Sequence, residues 1–292
     1  MLNGTQDFTT EDLEYLRHGD RPLMMRLFRP KGAGPFPIVI DLHGGAWNSG
    51  DLSDCQGRDE VLVNAGLAVA ALDFRQAADR YPTSLQDINY AIRWIKANAE
   101  KLKLDPKRVG LSGQSSGGHL AALAALRPDD RRYTGIALDS GLGVDGGVNG
   151  GVDARVVCVA LEWPVINPLS RYHHALRSLE NPATAGWVER IPEFHDTYWG
   201  DEQTMAEGNP MLALERGEDV ETPPTLWLQG DPDIVHDYHD PDSGQDLNEP
   251  ERFAQLYRNA GGAFEMVRVP QAERSEPRSF EPLVPFFNKH LT

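Results

Sequence analysis

Arg108-Val109-Gly110-Leu111-Ser112-Gly113-Gln114-Ser115-Ser116-Gly117-Gly118-His119-Leu120-Ala121-Ala122-Leu123 is the stretch that decides the fold. The run 108–112 reads as a short buried strand. The small-residue run 119–126 reads as a helix packed tightly on a sheet. Between them Gly113-Gln114-Ser115-Ser116-Gly117 fits the pattern G-x-S-x-G. Five matching residues alone are a weak signal, and the strand before and helix after them give the match its meaning. In that setting the serine occupies a strained turn and lifts its hydroxyl above the end of the sheet. Glycine at 113 and 117 removes side chains that would collide in so tight a turn. The helix N-terminus adds a field favourable to developing negative charge. The bland alternative is a glycine-rich turn with an incidental serine.

A second motif lies upstream. The apolar run 37–42 ends at His43-Gly44-Gly45-Ala46-Trp47. Backbone N–H groups of Gly44 and Gly45, with that of Ser116, are expected to form an oxyanion hole. One such donor is worth about 3 kcal/mol of transition-state stabilisation. His43 is expected to hold the loop rather than to act as a base. Trp47 is expected to line the substrate pocket or simply to pack.

Working outward, 13–17 and 23–28 read as an antiparallel lead-in pair, and 67–74 as the next strand. Leu85, Ile88, Ile92 and Ile95 recur at helical spacing in a helix ending near Leu104. Further strands are expected at 156–161, 225–229 and 263–269, with a terminal helix over 280–291. Such alternation predicts an α/β fold, a mostly parallel twisted sheet flanked by helices. Two segments interrupt it. The glycine-rich segment 131–153 reads as a surface loop. The segment 168–217, carrying Trp187, Tyr198 and Trp199, reads as a helical cap insertion over the site. The 292 residues are therefore read as a single domain, 1–292, with its cap at about 168–217.

A formal net charge of -16 disfavours nucleic acid and anionic membrane surfaces as partners. Cys55 and Cys158 allow one disulfide arithmetically, but no Cys/His cluster accompanies them, so neither metal nor organic cofactor is expected. The first residues lack the basic start and apolar stretch of a signal peptide. No run approaches the roughly 20 apolar residues of a membrane span. The expectation is a cytoplasmic protein acting on a small-molecule substrate; a homo-oligomer is compatible with it.

The order His43-Gly44-Gly45-Ala46-Trp47, then Asp73-Phe74-Arg75, then Gly113-Gln114-Ser115-Ser116-Gly117-Gly118-His119 resembles the bacterial carboxylesterases related to hormone-sensitive lipase. The resemblance covers most of the chain and implies the α/β-hydrolase fold, with Ser115 as nucleophile. It also implies that Asp73-Phe74-Arg75 is a structural turn and that His119 packs beneath the nucleophile. Gly230-Asp231-Pro232-Asp233-Ile234-Val235 resembles the family's strand-end pattern and implies Asp233 as the triad acid, with Asp231 and Glu162 as other carboxylates to weigh.

The family's catalytic histidine follows the last strand. Here that loop reads Val269-Pro270-Gln271-Ala272-Glu273-Arg274-Ser275, and Arg274 stands where histidine is expected. Arginine stays protonated and cannot serve as a base. The one histidine beyond it, His290, falls in the terminal helix. Three arrangements are open. His236 or His239, just after Asp233, supplies the base. The elbow and oxyanion loop instead work without a full triad, as in a lyase, isomerase or cyclase. Otherwise the site has become a binding pocket, with Arg274 paired to Asp233 or holding a ligand carboxylate. Two intact motifs favour an enzyme. The leading expectation is a serine hydrolase of small carboxylic esters or lactones with Ser115, Asp233 and His236 as catalytic residues. Gly44, Gly45 and Ser116 form the oxyanion hole, and Trp47 and Arg274 contact substrate.

Overall fold

Residues along a strand point alternately to opposite faces, and here that alternation sorts the apolar residues into two cores. The computed structural model describes residues 7–138 and 151–292. Its strands are β1 (Phe8–His18), β2 (Arg21–Pro30), β3 (Phe36–Leu42), β4 (Ala68–Leu72), β5 (Leu104–Gln114), β6 (Cys158–Glu162), β7 (Thr225–Asp231) and β8 (Phe264–Pro270). They form one sheet in the order β1-β2-β4-β3-β5-β6-β7-β8. The β1–β2 and β2–β4 pairs are antiparallel, and β4 through β8 run parallel.

Parallel neighbours require crossovers, and helices supply them. These are α1 (Gln56–Asn64), α2 (Thr83–Ala97), α3 (Ala99–Leu102), α4 (Ser116–Leu126) and α10 (Glu249–Asn259), with α11 (Leu283–Leu291) at the end. Between β6 and β7 stand five more, α5 (Pro168–Leu179), α6 (Ala185–Val188), α7 (Ile191–Trp199), α8 (Glu202–Glu207) and α9 (Pro210–Glu215). Ile38, Ile40 and Leu42 of β3 join the core that holds the apolar faces of α2 and α4, while Val39 joins the core under α1 and α11. β6 divides likewise, Val159 and Leu161 to the first core and Cys158 and Ala160 to the second. All eleven residues of α4 are buried, as its small-residue composition predicts.

Several boundaries differ from the sequence reading. The helix expected to reach Leu104 breaks at Asn98, and β5 already begins at Leu104. The terminal helix begins at Leu283, after a 3₁₀ turn over Pro277–Phe280. Cys55 and Cys158 are both free and buried, so no disulfide forms. Residues 139–150 of the glycine-rich segment read as a surface loop lie outside the described residues. No helix among the described residues is long and apolar enough to cross a membrane.

The same alternation puts Asp41 of β3, Ser112 of β5 and Glu162 of β6 on the α1 face, near the carboxyl ends of their strands. Arg58 of α1, 1% exposed, covers them. Its guanidinium meets Asp41 at 2.6 Å and ion-pairs with Glu162, whose other oxygen accepts from the Ser112 hydroxyl at 2.8 Å. Asp59 is buried beside them. Burial pushes the Asp59 and Glu162 carboxyl groups upward, and the Asp41 charge pushes in the same direction. One cation therefore faces three acids, two of which are pushed toward their protonated form.

Replacing Arg58 with Met leaves those carboxylates without a cation. The expected loss is about 3–5 kcal/mol of stability, read by urea unfolding. Carboxyl groups raised in the fold bind protons more tightly folded than unfolded, so stability is lost as pH rises through their folded values. The deficit of Arg58→Met should accordingly be larger at pH 8 than at pH 5.5. A deficit independent of pH would show that the carboxylates do not depend on this guanidinium.

Candidate active site

β5 delivers the chain to Ser115, which sits at φ 53°, ψ −115°, a conformation costly for a residue with a side chain. Neighbouring strands hold it there. The Ser115 N–H donates to the Glu162 carbonyl at 2.9 Å, and its own carbonyl accepts from Val165 at 3.0 Å and His119 at 3.1 Å. Behind it, a Cβ on Gly117 would collide with the carbonyls of Leu42 and His43, so only glycine lets α4 approach the end of β3.

That approach brings in the glycine loop. A Cβ on Gly44 would lie 3.4 Å from Ser115 Cβ, so the loop backbone passes directly beside the elbow. Gly45 has φ 104°, and its carbonyl accepts from Asn48 at 3.0 Å and Ser49 at 3.1 Å. The N–H groups of Gly44, Gly45 and Ser116 donate to no turn or loop acceptor among the described residues. Ser116 is the first residue of α4, where an amide has no partner within the helix. His43 is buried, bonds the Gly44 carbonyl through Nδ1 at 2.8 Å and stacks on Phe74 at 4.4 Å.

Trp47 takes the packing alternative. It is 1% exposed and packed among His119, His195, Tyr198 and Trp199, and its indole N–H donates to His119 Nδ1 at 3.2 Å. Backbone φ of 52° at Ala46 and 61° at Trp47 turns the ring inward. There it ties the glycine loop to α7, and Asn48 adds a bond to the Phe194 carbonyl at 2.8 Å. His119 is held by the Gly208 carbonyl at 2.8 Å, and burial lowers its pKa to about 4.

Past β7 the chain turns tightly over residues 233–236, and one carboxylate organises the turn. Asp233 Oδ1 accepts from the N–H groups of Val235 at 3.0 Å and His236 at 3.2 Å. Asp233 Oδ2 accepts from His236 Nδ1 at 2.9 Å. His236 Nε2 then faces Ser115 Oγ at 3.2 Å. The Nδ1–H tautomer that Asp233 selects leaves Nε2 as the acceptor. Burial raises Asp233, but the bonds and charge of His236 and the two amides outweigh it and hold the carboxyl below its ordinary range. Burial lowers His236, Asp233 opposes this, and the charges of Arg171 and Arg274 add to the lowering.

The other candidates go elsewhere. His239 bonds the Gln245 carbonyl at 2.7 Å. His290 packs on the Phe286 ring at 4.9 Å. Asp231 is exposed, and Glu162 is engaged by Arg58 and Ser112. Arg274 does not pair with Asp233; its guanidinium lies over the Trp163 ring, 6.0 Å from the centroid. Sequence reasoning passed over Arg171, buried at the start of α5, whose charge acts on both Asp233 and His236. It also passed over Gln229, 3.4 Å from Asp233. Neither had a motif to mark it.

Residues 25–157 match the family model described as BD-FAE. Among curated proteins, the chain is 31% identical over 102 residues to the probable carboxylic ester hydrolase LipM of Mycobacterium tuberculosis, covering 34% of this chain and 24% of that protein. It is 37% identical over 92 residues to the carboxylesterase NlhH of the same organism, covering 30% and 28%. The matched segments thus span about a quarter of those relatives' lengths. Likeness of fold extends further. Carboxyl esterase 2 of Tuber melanosporum superposes with a TM-score of 0.71 at 18% identity, over 99% of this chain and 90% of that one.

The environment of His236 fixes how it titrates. Its imidazole, followed by NMR, should protonate with a midpoint below the ordinary 6.5. Asp233→Asn should move that midpoint further down, because it removes the one negative partner. Arg274→Met should move it up. A midpoint at or above 6.5 in the unaltered protein would contradict the buried, carboxylate-held ring.

Proposed function

We propose that this chain belongs with the α/β-hydrolase carboxylesterases related to hormone-sensitive lipase and is a serine hydrolase of small carboxylic esters, lactones included. The observation that carries this reading is the relay from Ser115 Oγ to His236 Nε2 at 3.2 Å and from His236 Nδ1 to Asp233 Oδ2 at 2.9 Å. An imidazole in hydrogen-bond reach of a hydroxyl, itself oriented by a carboxylate, is the arrangement that makes serine a nucleophile near neutral pH.

In the proposed reaction Ser115 Oγ attacks the ester carbonyl as His236 Nε2 takes its proton. Negative charge develops on the carbonyl oxygen, beside the N–H groups of Gly44, Gly45 and Ser116. Each is worth about 3 kcal/mol to the transition state. The tetrahedral intermediate collapses, the C–O bond to the alcohol breaks, and His236 returns the proton to the leaving oxygen. Water activated by the same imidazole then cleaves the acyl-serine. Asp233 keeps the tautomer and stabilises the imidazolium. We assign the whole chain to one domain and α5–α9 to a cap. Support for the cap comes from α7, whose Tyr198 and Trp199 enclose the Trp47 that fastens the oxyanion loop.

Fluorophosphonate labelling read by intact mass tests this directly. The unaltered protein should gain one adduct at Ser115, and Ser115→Ala none. His236→Ala and Asp233→Asn should slow 4-nitrophenyl acetate hydrolysis by about 10³- to 10⁴-fold with the fold kept. Labelling that persists at full rate in His236→Ala would mean that another group activates the serine.

A further inference from the structure

A cavity of about 130 Å³ opens beside the elbow. Its walls include Gln114, which immediately precedes the nucleophile, together with Asp54, Arg58, Arg274, Ser275 and Phe280. Two of these carry positive charge, and they differ in what they do with it. Arg58 is spent on Asp41 and Glu162 beneath the cavity. Arg274 has no acid within ion-pair distance among the described residues, in a chain with 44 acids to 28 bases. Its own loop contains two carboxylates, and both go to another residue. Glu273 and Glu276 pair with Arg278, each at 2.9 Å. The one acid among the cavity walls, Asp54, accepts from the Asp51 N–H at 3.0 Å.

Arg274 is also held in place. Its guanidinium lies over the face of Trp163, a buried ring that packs on Phe280 at 6.0 Å. A cation over an aromatic face is attracted to the ring while its N–H groups stay free to donate to another partner. An arginine so placed has a cost for catalysis, because its charge opposes protonation of His236. A neutral residue would serve the base better. The position makes chemical sense if the guanidinium has an anion to bind.

We propose that Arg274 is a specificity-determining residue that recognises a carboxylate on the substrate, so that the preferred esters are small and anionic, with a carboxylate a few bonds from the scissile carbonyl. This rests on the hydrolase reading given above. Bidentate pairing with a carboxylate fits the guanidinium fork. A bound carboxylate also screens the arginine from His236, so the substrate itself relieves the penalty on the base.

Two matched pairs of esters test the proposal and locate the charge. Mono-4-nitrophenyl glutarate against 4-nitrophenyl pentanoate places it on the acyl side. 4-Acetoxybenzoate against 4-acetoxybenzamide places it on the alcohol side. In at least one pair the unaltered protein should prefer the anion by about ten- to a hundredfold in kcat/KM, through both KM and kcat. Arg274→Met should bring that ratio to near one, and Arg274→Lys should keep part of it. A ratio of one or less in both pairs, or a preference that survives in Arg274→Met, overturns the proposal. If no ester is turned over and Ser115 takes no label, the hydrolase reading fails by itself. Isothermal titration then decides the anion site. Glutarate binding more tightly than glutaramide to the unaltered protein, but not to Arg274→Met, sustains it. Equal binding ends it.

Discussion

The buried guanidinium of Arg58 is the contact on which this end of the molecule depends. It bonds β3 through Asp41 and β6 through Glu162, and it comes from α1, which covers the sheet face. The backbone carbonyl of Glu162 receives the N–H of Ser115, so the strand that Arg58 fixes also fixes the strained turn. Burying a cation is unfavourable unless its donors are satisfied. Here satisfaction requires three chain segments to arrive together, so the ion pair works as a condition on the geometry more than as a net source of stability. The glycine loop obeys the same condition, because the end of β3 packs against Gly117 and continues into Gly44.

Asp233 makes the second economy. In the resemblance, acid and base come from loops after two different strands. Here the two candidates are three residues apart, and one carboxylate holds both the turn amides and the imidazole. Oδ1 shapes the turn and Oδ2 orients the ring, so whatever disturbs the turn also disturbs the base. Local hydrogen bonds thus replace the alignment of two separate loops.

Much of this was legible in the sequence. The apolar runs of β3 and β6, the small-residue helix α4 and the two glycine motifs are local signals, and local signals survive in a single chain. The helices α1 and α10 were not read. The residues of α1 are mixed, because one face carries Arg58 and Asp59 inward as a buried polar cluster, which hides the apolar period. At α10 the cue was present, since the Asn248 N–H donates to Glu251 three residues on at 3.3 Å, a capping pattern in plain sequence. The sequence put His236 forward as first candidate but did not exclude His239, as both lie beside aspartates. It depends on which one the turn aims inward, and that follows from two amide bonds to Asp233. Trp47 was ambiguous for a related reason: positive φ at two successive non-glycine residues points it away from the cleft, and no composition rule foretells that.

In the proposed mechanism, placing the base on the acid's own turn also frees position 274. A loop that must supply histidine tolerates little change, whereas one relieved of that duty can carry a different charge. The electrostatics of the result are asymmetric. Burial and the charges of Arg171 and Arg274 all favour neutral imidazole, the form needed to accept a proton. The same influences oppose the imidazolium that the proposed mechanism forms in its transition state, and Asp233 offsets them. An anion on Arg274 would reduce the opposing field at the moment of proton transfer, and a neutral ester could not do so. On that argument, discrimination between the two substrates comes from the chemistry of the step as well as from binding, since the charge that recognises the substrate is the charge the base must work against.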